Sequence, residues 1–241
     1  MQELKILPSA IYLDLEWNCF ETTLRNGAAE EIIEIGLVEL DPVSLLIKRE
    51  ASYLVRPRQL EISRRCSAIT GITRCDLIGA RPLREVIAKI AGEWPSKSTC
   101  FAWGEDEEVF VRACRAHRVP VPFRRFVDLS RTFQRMLLLS QQASVRRAIE
   151  ALGLPFDGCE HMALSDARNT ARIHAEILRR LRSAEPPAAP RPRTVSPCEP
   201  TWFGQLLQQS LLAIPSFAGR TIERPNQLLS SEPGGSVDDS K

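Results

Sequence analysis

The sequence has no long apolar run, and none approaches the roughly 20 residues that a membrane-spanning helix needs. Residues 1–10 contain an acidic side chain and too short an apolar stretch for a secretory signal. From these two absences we expect a cytoplasmic protein that neither spans a membrane nor acts on one.

Paired cysteines are also missing. The seven Cys residues include no C-x-x-C pair and are odd in number, which argues against a disulfide framework and against a structural zinc site. We expect isolated reduced thiols, most of them buried. The chain has 241 residues, of which 44% are hydrophobic and 26% charged. This composition is typical of a globular protein with one good-sized domain and additional segments.

The formal net charge is only +2, but the two signs are separated along the chain. Residues 1–50 contain ten acidic and four basic side chains, whereas residues 111–147 contain nine Arg and a single acid, Asp128. This separation suits a site that holds cations and a polyanion together. Two solvated faces of different charge are the alternative, and charge alone does not exclude it.

Apolar periodicity predicts an α/β domain. Three strands with short connections, as in an antiparallel meander, are predicted over residues 10–16, 31–40 and 45–57. A short buried strand is predicted over residues 98–103. Helices are predicted over residues 81–93, 106–117, 129–139, 143–152 and 163–182.

The composition changes after Arg182, because nine of the 17 Pro residues lie beyond residue 183. We therefore divide the chain into a domain at 1–183 and a Pro-rich linker and tail at 184–241. Apolar residues recur at helical spacing over 202–214. A short amphipathic helix there would either dock on the domain or bind a protein partner, and the sequence leaves both open.

Acidic residues end the first predicted strand. Asp14 and Glu16 are two residues apart, so their carboxylates point to the same face of the sheet. Two negative charges this close repel one another unless a cation lies between them. The alternative is a pair of exposed acids at a strand end, and a D-x-E pair alone does not exclude it.

Two later segments also contain acids. In FAWGEDEEVF, residues 101–110, the acids follow a strand, where they would equally well stabilise the N-terminus of the next helix. In HMALSDARNTARI, residues 161–173, His161 lies five residues before Asp166, about 500° around a continuous helix. We therefore expect His161 in the loop after Gly158 and Asp166 in the first turns of the helix.

In the order D-x-E, D, H-x4-D, these segments resemble the motifs of the DEDDh exonucleases of the DnaQ-like, RNase H-like superfamily. EISRRCSAITGITRCDLIGA, residues 61–80, is similar to a segment of the Eri/KapD-type branch. The resemblance covers about residues 9–182. It implies an RNase H-like α/β fold, a mixed five-stranded sheet flanked by helices, with the C-terminal Pro-rich extension outside it.

The resemblance also implies a two-metal mechanism with Mg²⁺ or Mn²⁺ as cofactor. The metal ligands would be Asp14, Glu16, Asp106 and Asp166. His161 would be the general base, since the ordinary pKa of imidazole, about 6.5, lies near working pH. Nucleotide contacts beside the first motif would come from Leu15 and Trp17.

Two of these assignments have alternatives. Close relatives often have G-x-x-D in the second motif, which would make Glu107 the ligand. We prefer Asp106, because Val109 and Phe110 then fall at the usual apolar offsets. Trp17 either stacks on the terminal base or packs in the core under the hairpin.

The basic segment and the remaining histidines have simpler interpretations. The nine Arg of residues 111–147 either neutralise phosphates entering the site or form solvated helix faces. His117 and His174 lie in helical patterns, and we expect neither to be catalytic.

The activity implied is metal-dependent 3′-5′ exonucleolysis that releases nucleoside 5′-monophosphates from the 3′ ends of single-stranded nucleic acid. RNA is favoured and DNA is possible. One alternative is a proofreading-type DNA exonuclease subunit that docks through its tail. Another is a nucleic-acid-binding scaffold with vestigial hydrolysis, which the complete set of motif residues argues against.

Overall fold

The computed structural model describes residues 9–18, 31–96 and 98–183, and the tail at 184–241 with its expected helix at 202–214 lies outside them. The described strands are β1 (Ala10–Asn18), β2 (Glu31–Leu40), β3 (Ile47–Arg56), β4 (Arg81–Pro82), β5 (Thr99–Ala102) and β6 (Arg125–Asp128). The described helices are α1 (Arg64–Thr70), α2 (Arg74–Ile78), α3 (Leu83–Glu93), α4 (Asp106–Ala116), α5 (Leu129–Met136), α6 (Val145–Ala151) and α7 (Ala163–Ser183).

The strands form one mixed sheet in the order β4-β3-β2-β1-β5-β6. β1 pairs with β2 and β2 with β3 in antiparallel fashion, whereas β5 and β6 continue the sheet from β1 in parallel. This arrangement confirms the predicted meander and the predicted mixed α/β sheet. The two-residue β4 adds a sixth strand at one edge.

One face of the sheet packs against α3 and α4. Ile11, Leu13 and Leu15 of β1 lie in this cluster with apolar side chains of both helices. Alternate residues of β1 point to the opposite face, where Tyr12 packs against α7. The sheet therefore separates two helical layers, and Asp14 and Glu16 lie on the α7 side.

The ends of several helices differ from the sequence prediction. The helix predicted over 129–139 ends at Met136, because Leu138 adopts the left-handed conformation with φ 53°. Strand β6 and helices α1 and α2 were not predicted, since all three are too short to show a clear period.

The described cysteines fit the prediction of isolated thiols. Cys66, Cys100 and Cys114 are buried, and Cys75 and Cys159 are exposed, all as free thiols. Among the described helices, none combines the length and the apolar character that crossing a bilayer requires.

Candidate active site

Strand β1 carries the first two acids of the site. Asp14 lies opposite Gly36 of β2, and Glu16 lies opposite Glu34, so all four residues share the face that α7 covers. Asp14 is buried with 9% of its surface exposed, and Glu16 is half-buried. The sequence prediction that both carboxylates project from one face is confirmed.

Helix α7 brings the third acid to this face. Asp166 lies in the first turn of the helix and is half-buried. One carboxylate oxygen from each of Asp14, Glu16 and Asp166 lies within 4.8 Å of the others. Residues 152 positions apart in the chain thus meet in a single acidic cluster.

Asp106 approaches the same cluster from the start of α4. It is only 4% exposed, and its Oδ1 accepts a hydrogen bond of 3.2 Å from the backbone N–H of Leu15. Val109 and Phe110, one turn further along, are buried in the core as expected. Asp106 lines the cavity with the other three acids, whereas Glu107 is partly exposed and does not line it.

The acids lie in a cavity of about 680 Å³ that opens between β1, α1, α6 and α7. Apolar and aromatic side chains form part of its wall, and two arginines, one from α1 and one from α6, supply positive charge. These lining residues are Leu15, Trp17, Ile69, Trp103, Val145, Arg65 and Arg146. The cavity thus combines negative charge, stacking surface and cations.

Burial and mutual repulsion raise the pKa of each acid. Burial raises the pKa of Asp14 well above its usual range, and the charges of Asp106, Asp166 and Glu16 add to the effect. Burial, with smaller contributions from Asp166 and Glu34, raises the pKa of Glu16 to about 8. Burial also raises the pKa of Asp106 and of Asp166. A divalent cation would relieve this repulsion.

The donor set matches a hard divalent cation. Carboxylate oxygens are the ligands that Mg²⁺ and Mn²⁺ prefer, and the three clustered acids each direct one oxygen to a common region. The residues present therefore fit the cofactor implied by the sequence.

His161 lies at the rim of the cavity in the loop before α7. It is exposed and adopts φ 59°, and its backbone N–H donates to Oδ2 of Asp166 at 2.8 Å. α7 begins at Ala163, so His161 is in the loop and Asp166 in the helix, as the spacing predicted. The hydrogen bond ties the backbone of this loop to the acidic cluster, and His161 lines the cavity beside it.

The two expected nucleotide contacts differ in accessibility. Leu15 is 3% exposed and belongs mainly to the core, although it also lines the cavity. Trp17 is half-buried, packs against the same core cluster and lines the cavity. Its position therefore fits both stacking on a terminal base and packing in the core under the hairpin. Their role towards a substrate stays a prediction.

The Arg-rich segment contributes less to the cavity than its charge suggests. Of its nine arginines, Arg146 lines the cavity, while Arg112 lines a separate small cavity with Arg56 and Arg58. His174 is largely buried, and its Nδ1 lies 2.7 Å from the Tyr12 hydroxyl. His174 belongs to α7, and its ring packs edge-on against Tyr12 and Phe101 of the sheet, as a core residue does.

Several lining residues were not anticipated from the sequence. α1 supplies Arg65, Ile69 and Thr70, whereas the sequence of residues 61–80 predicts no contact with the site. Asn18 fixes this helix to β1, because its side chain donates to the Glu61 carbonyl and accepts from the Ser63 N–H. Paired hydrogen bonds of this kind join distant segments, so a reading of local patterns does not find them.

The chain is similar in sequence to known exonucleases. The family model of exonucleases (RNase_T) matches residues 11–174. ERI1 exoribonuclease 2 of Danio rerio is 27% identical over 194 residues, which cover 70% of this chain and 34% of the relative. A PolC-type DNA polymerase III of Thermotoga petrophila is 33% identical over 156 residues, 64% of this chain and 11% of the relative.

The fold has close counterparts among solved structures. The nuclease domain of 3′hExo, a DEDDh family member bound to rAMP, superposes with a TM-score of 0.62 at 24% identity. The superposition covers 72% of this chain and 92% of that domain. By contrast, the chain spans about a third of the zebrafish relative and about a tenth of the polymerase.

Proposed function

The chain belongs to the exonuclease family, and we propose that it is a metal-dependent 3′-5′ exonuclease acting on single-stranded nucleic acid, with RNA preferred. The products would be nucleoside 5′-monophosphates. The observation that carries this proposal is the convergence of two distant segments, β1 and α7, which brings carboxylates of Asp14, Glu16 and Asp166 within 4.8 Å of one another. Asp106 and His161 line the same cavity.

Asp14, Glu16, Asp106 and Asp166 would hold two divalent ions. What such ions supply when bound is charge neutralisation at the phosphodiester and stabilisation of the attacking and leaving oxygens of an in-line displacement. The protein's own contribution is to hold the ligands in place beforehand. Asp106 is oriented by the Leu15 N–H and Asp166 by the His161 N–H.

His161 would act as the general base. Its imidazole takes a proton from the attacking water, the water oxygen bonds to phosphorus, and the bond from phosphorus to the 3′ oxygen of the upstream nucleotide breaks. The terminal nucleotide leaves with a 5′-phosphate, and the departing 3′ oxygen takes a proton from solvent to become the 3′-hydroxyl of the shortened strand. Exposure of His161 at the cavity rim permits the proton to pass on to solvent.

The cavity wall offers contacts for the rest of the strand. Trp17 and Trp103 present aromatic surface on which bases would stack, an interaction worth about 1–3 kcal/mol per base. Arg65 and Arg146 supply positive charge for phosphates, against the negative charge of the acidic cluster. A cavity of about 680 Å³ lies within the range of ordinary ligand sites.

The choice of RNA rests on the relatives. The zebrafish relative is named an exoribonuclease, and the superposed nuclease domain holds rAMP. DNA is the second candidate substrate, because the polymerase relative of PolC type shares 33% identity with this chain. A proofreading role within a polymerase would follow from that second candidate.

The test uses the full chain with matched RNA and DNA oligonucleotides labelled at the 5′ end. We expect Mn²⁺ or Mg²⁺ to yield a ladder shortened from the 3′ end, EDTA to abolish it, and RNA to be degraded faster. Chromatography of the products should show nucleoside 5′-monophosphates. Internal cleavage, or no metal-dependent shortening, would contradict the proposal, and faster degradation of DNA would favour the second candidate.

The His161→Ala variant tests the role of His161 as general base separately from the role of the metal ligands. We expect kcat to fall by about 10²–10⁴, the usual contribution of a general base, while Mn²⁺ binding measured by calorimetry stays near the wild-type value. His117→Ala, far from the cavity wall, is the control and should retain wild-type kcat. Retention of full kcat in His161→Ala would remove this residue from the mechanism.

A further inference from the structure

Helix α7 begins without a local capping side chain. The first N–H groups of a helix have no partner within it and need an acceptor from elsewhere. Met162 precedes the helix and Ala163 opens it, and neither side chain has a hydrogen-bonding oxygen. The acceptor comes instead from β2, where Oε2 of Glu34 lies 3.1 Å from the backbone nitrogen of Ala163 in a buried hydrogen bond.

Both oxygens of the Glu34 carboxylate are held. Oε1 accepts a hydrogen bond of 2.6 Å from the Ser52 hydroxyl on β3, while Oε2 caps α7. Glu34 is 7% exposed. Its side chain is therefore fixed by two contacts, and a negative charge at the N-terminus of a helix is also favourable for the helix dipole.

The backbone of β2 approaches the same helical turn. A Cβ atom on Gly36 would lie 2.2 Å from the carbonyl carbon of Ala163, so only glycine permits this contact. Glu34 and Gly36 lie two residues apart on one face of β2, opposite Glu16 and Asp14 of β1. The start of α7 is thus located directly against the strand pair that carries the acidic cluster.

We infer that Glu34 is a positioning residue for the metal site: by capping α7 it sets where Asp166 and His161 lie relative to Asp14 and Glu16. Asp166 is three residues beyond the capped Ala163, and its carboxylate in turn accepts the His161 N–H. A shift of the first turn would move both side chains together. The inference rests on the proposed function only in assuming that the cluster binds divalent ions.

The negative charge of Glu34 by itself disfavours the ionised forms of the neighbouring acids. It raises the pKa of Asp14, of Glu16 and of Asp166, so a further carboxylate here adds repulsion to the cluster. The cap, and not the charge, is therefore the contribution that we assign to Glu34. A glutamine would keep it, because its carbonyl oxygen would accept from Ala163 and its amide would donate to the Ser52 oxygen.

The experiment measures Mn²⁺ affinity of the full chain by calorimetry, with no nucleic acid present. We expect Glu34→Ala to weaken Mn²⁺ binding about 10–100-fold, the range found when outer partners of metal ligands are removed. Glu34→Gln should stay within about threefold of the wild type. This rescue distinguishes a cap from a charge effect, because both variants remove the charge and only one removes the acceptor.

Glu39→Ala is the matched control. Glu39 is a second buried glutamate on β2, paired with Lys48 and Arg49 away from the acidic cluster. Its loss should lower the melting temperature and leave Mn²⁺ affinity unchanged. If Glu34→Ala does not fold, Ser52→Ala takes its place, and we expect Mn²⁺ binding at least threefold weaker than wild type.

Three results would overturn the inference: wild-type Mn²⁺ affinity in Glu34→Ala or its substitute Ser52→Ala, equal losses in Glu34→Ala and Glu39→Ala, or equal losses in Glu34→Ala and Glu34→Gln. If the wild-type chain binds no Mn²⁺ at millimolar concentration, the inference and the proposed function both fail. If it binds Mn²⁺ with the expected pattern but degrades no oligonucleotide, only the proposed function fails.

Discussion

The backbone N–H of Leu15 donates a hydrogen bond of 3.2 Å to Oδ1 of Asp106, and so joins the middle of β1 to the first residue of α4. Leu15 lies between Asp14 and Glu16, so the bond fixes the carboxylate of Asp106 relative to theirs. Oriented ligands lower the conformational cost of binding a cation. The neighbouring Glu107 has no such bond among the described contacts, and partial burial and the charge of Asp128 raise its pKa.

Asp106→Asn should therefore inactivate the enzyme, whereas Glu107→Gln should not. We expect kcat/KM of Asp106→Asn on a labelled oligonucleotide to fall more than about 100-fold, beyond the loss caused by removing an outer partner of a metal ligand. Glu107→Gln, a change of the same kind one residue away, should stay within about twofold. The reverse pattern would assign the second motif to Glu107.

Arg65 offers a test of nucleic-acid contact. It lies in the first turn of α1, where positive charge opposes the helix dipole, and it lines the cavity. Its neighbour Arg64 is exposed on the same turn and does not line the cavity. If Arg65 binds a phosphate of the strand, Arg65→Ala should weaken binding of single-stranded RNA and reduce its dependence on salt.

The measurement is fluorescence anisotropy of a labelled RNA in EDTA at several salt concentrations. One lost phosphate contact lowers the slope of log K against log salt by about 0.7 for a single strand. We expect this change in Arg65→Ala and none in Arg64→Ala. Equal slopes in the two variants would show that Arg65 does not contact the strand.

Local patterns were sufficient to predict much of the site. Asp14 and Glu16 share a face because side chains alternate along a strand, and the five-residue spacing of His161 and Asp166 placed the former in a loop. Both inferences needed only residues close in sequence. The order of the motifs added Asp106, and the apolar offsets of Val109 and Phe110 favoured it over Glu107.

Contacts between distant segments could not be predicted in this way. Glu34 meets Ala163 across 129 residues. Alternation along β2 puts Glu34 and Glu39 on opposite faces of the sheet, but it does not show which helix either face meets. Arg65 enters the cavity because Asn18 holds the segment before α1, a pair of hydrogen bonds spanning more than 40 residues. Of the nine arginines of residues 111–147, Arg146 lines this cavity and Arg112 lines a separate one, because residues close in sequence need not share one surface.

Gly36→Ala should disrupt the contact between β2 and α7. The added Cβ would lie 2.2 Å from backbone atoms of Ala163, which no side-chain rearrangement can relieve. Overpacking of this kind costs about 1–3 kcal/mol or more, and we also expect weaker Mn²⁺ binding because the first turn of α7 must move. Gly92→Ala, in α3 with open space around its Cβ, should stabilise the protein by about 0.5–1 kcal/mol.

Urea unfolding and Mn²⁺ calorimetry of both variants provide the check. Destabilisation of Gly36→Ala together with unchanged Mn²⁺ affinity would show that α7 can shift without moving Asp166. A stable Gly36→Ala would mean that β2 and α7 separate at little cost.

His174 should make the protein sensitive to mild acid. Burial lowers the pKa of His174 to about 4, below the value of about 6.5 expected in the unfolded chain. Between these values the unfolded chain binds a proton that the native imidazole does not, so His174 contributes a decrease in the free energy of unfolding as the pH falls from 6.5 towards 4. The folded protein therefore favours the neutral imidazole of His174, whose Nδ1 lies 2.7 Å from the Tyr12 hydroxyl.

His174→Gln removes the titration and keeps a side chain that can hydrogen-bond to Tyr12. In EDTA, we expect the wild type to lose about 1–2 kcal/mol more unfolding free energy than His174→Gln when the pH falls from 7 to 5. His117→Gln is the control, because His117 is much less buried and its pKa is lowered less strongly. Urea titrations at the two pH values give the difference directly, and identical losses in wild type and His174→Gln would show that His174 stays accessible to protons in the native state.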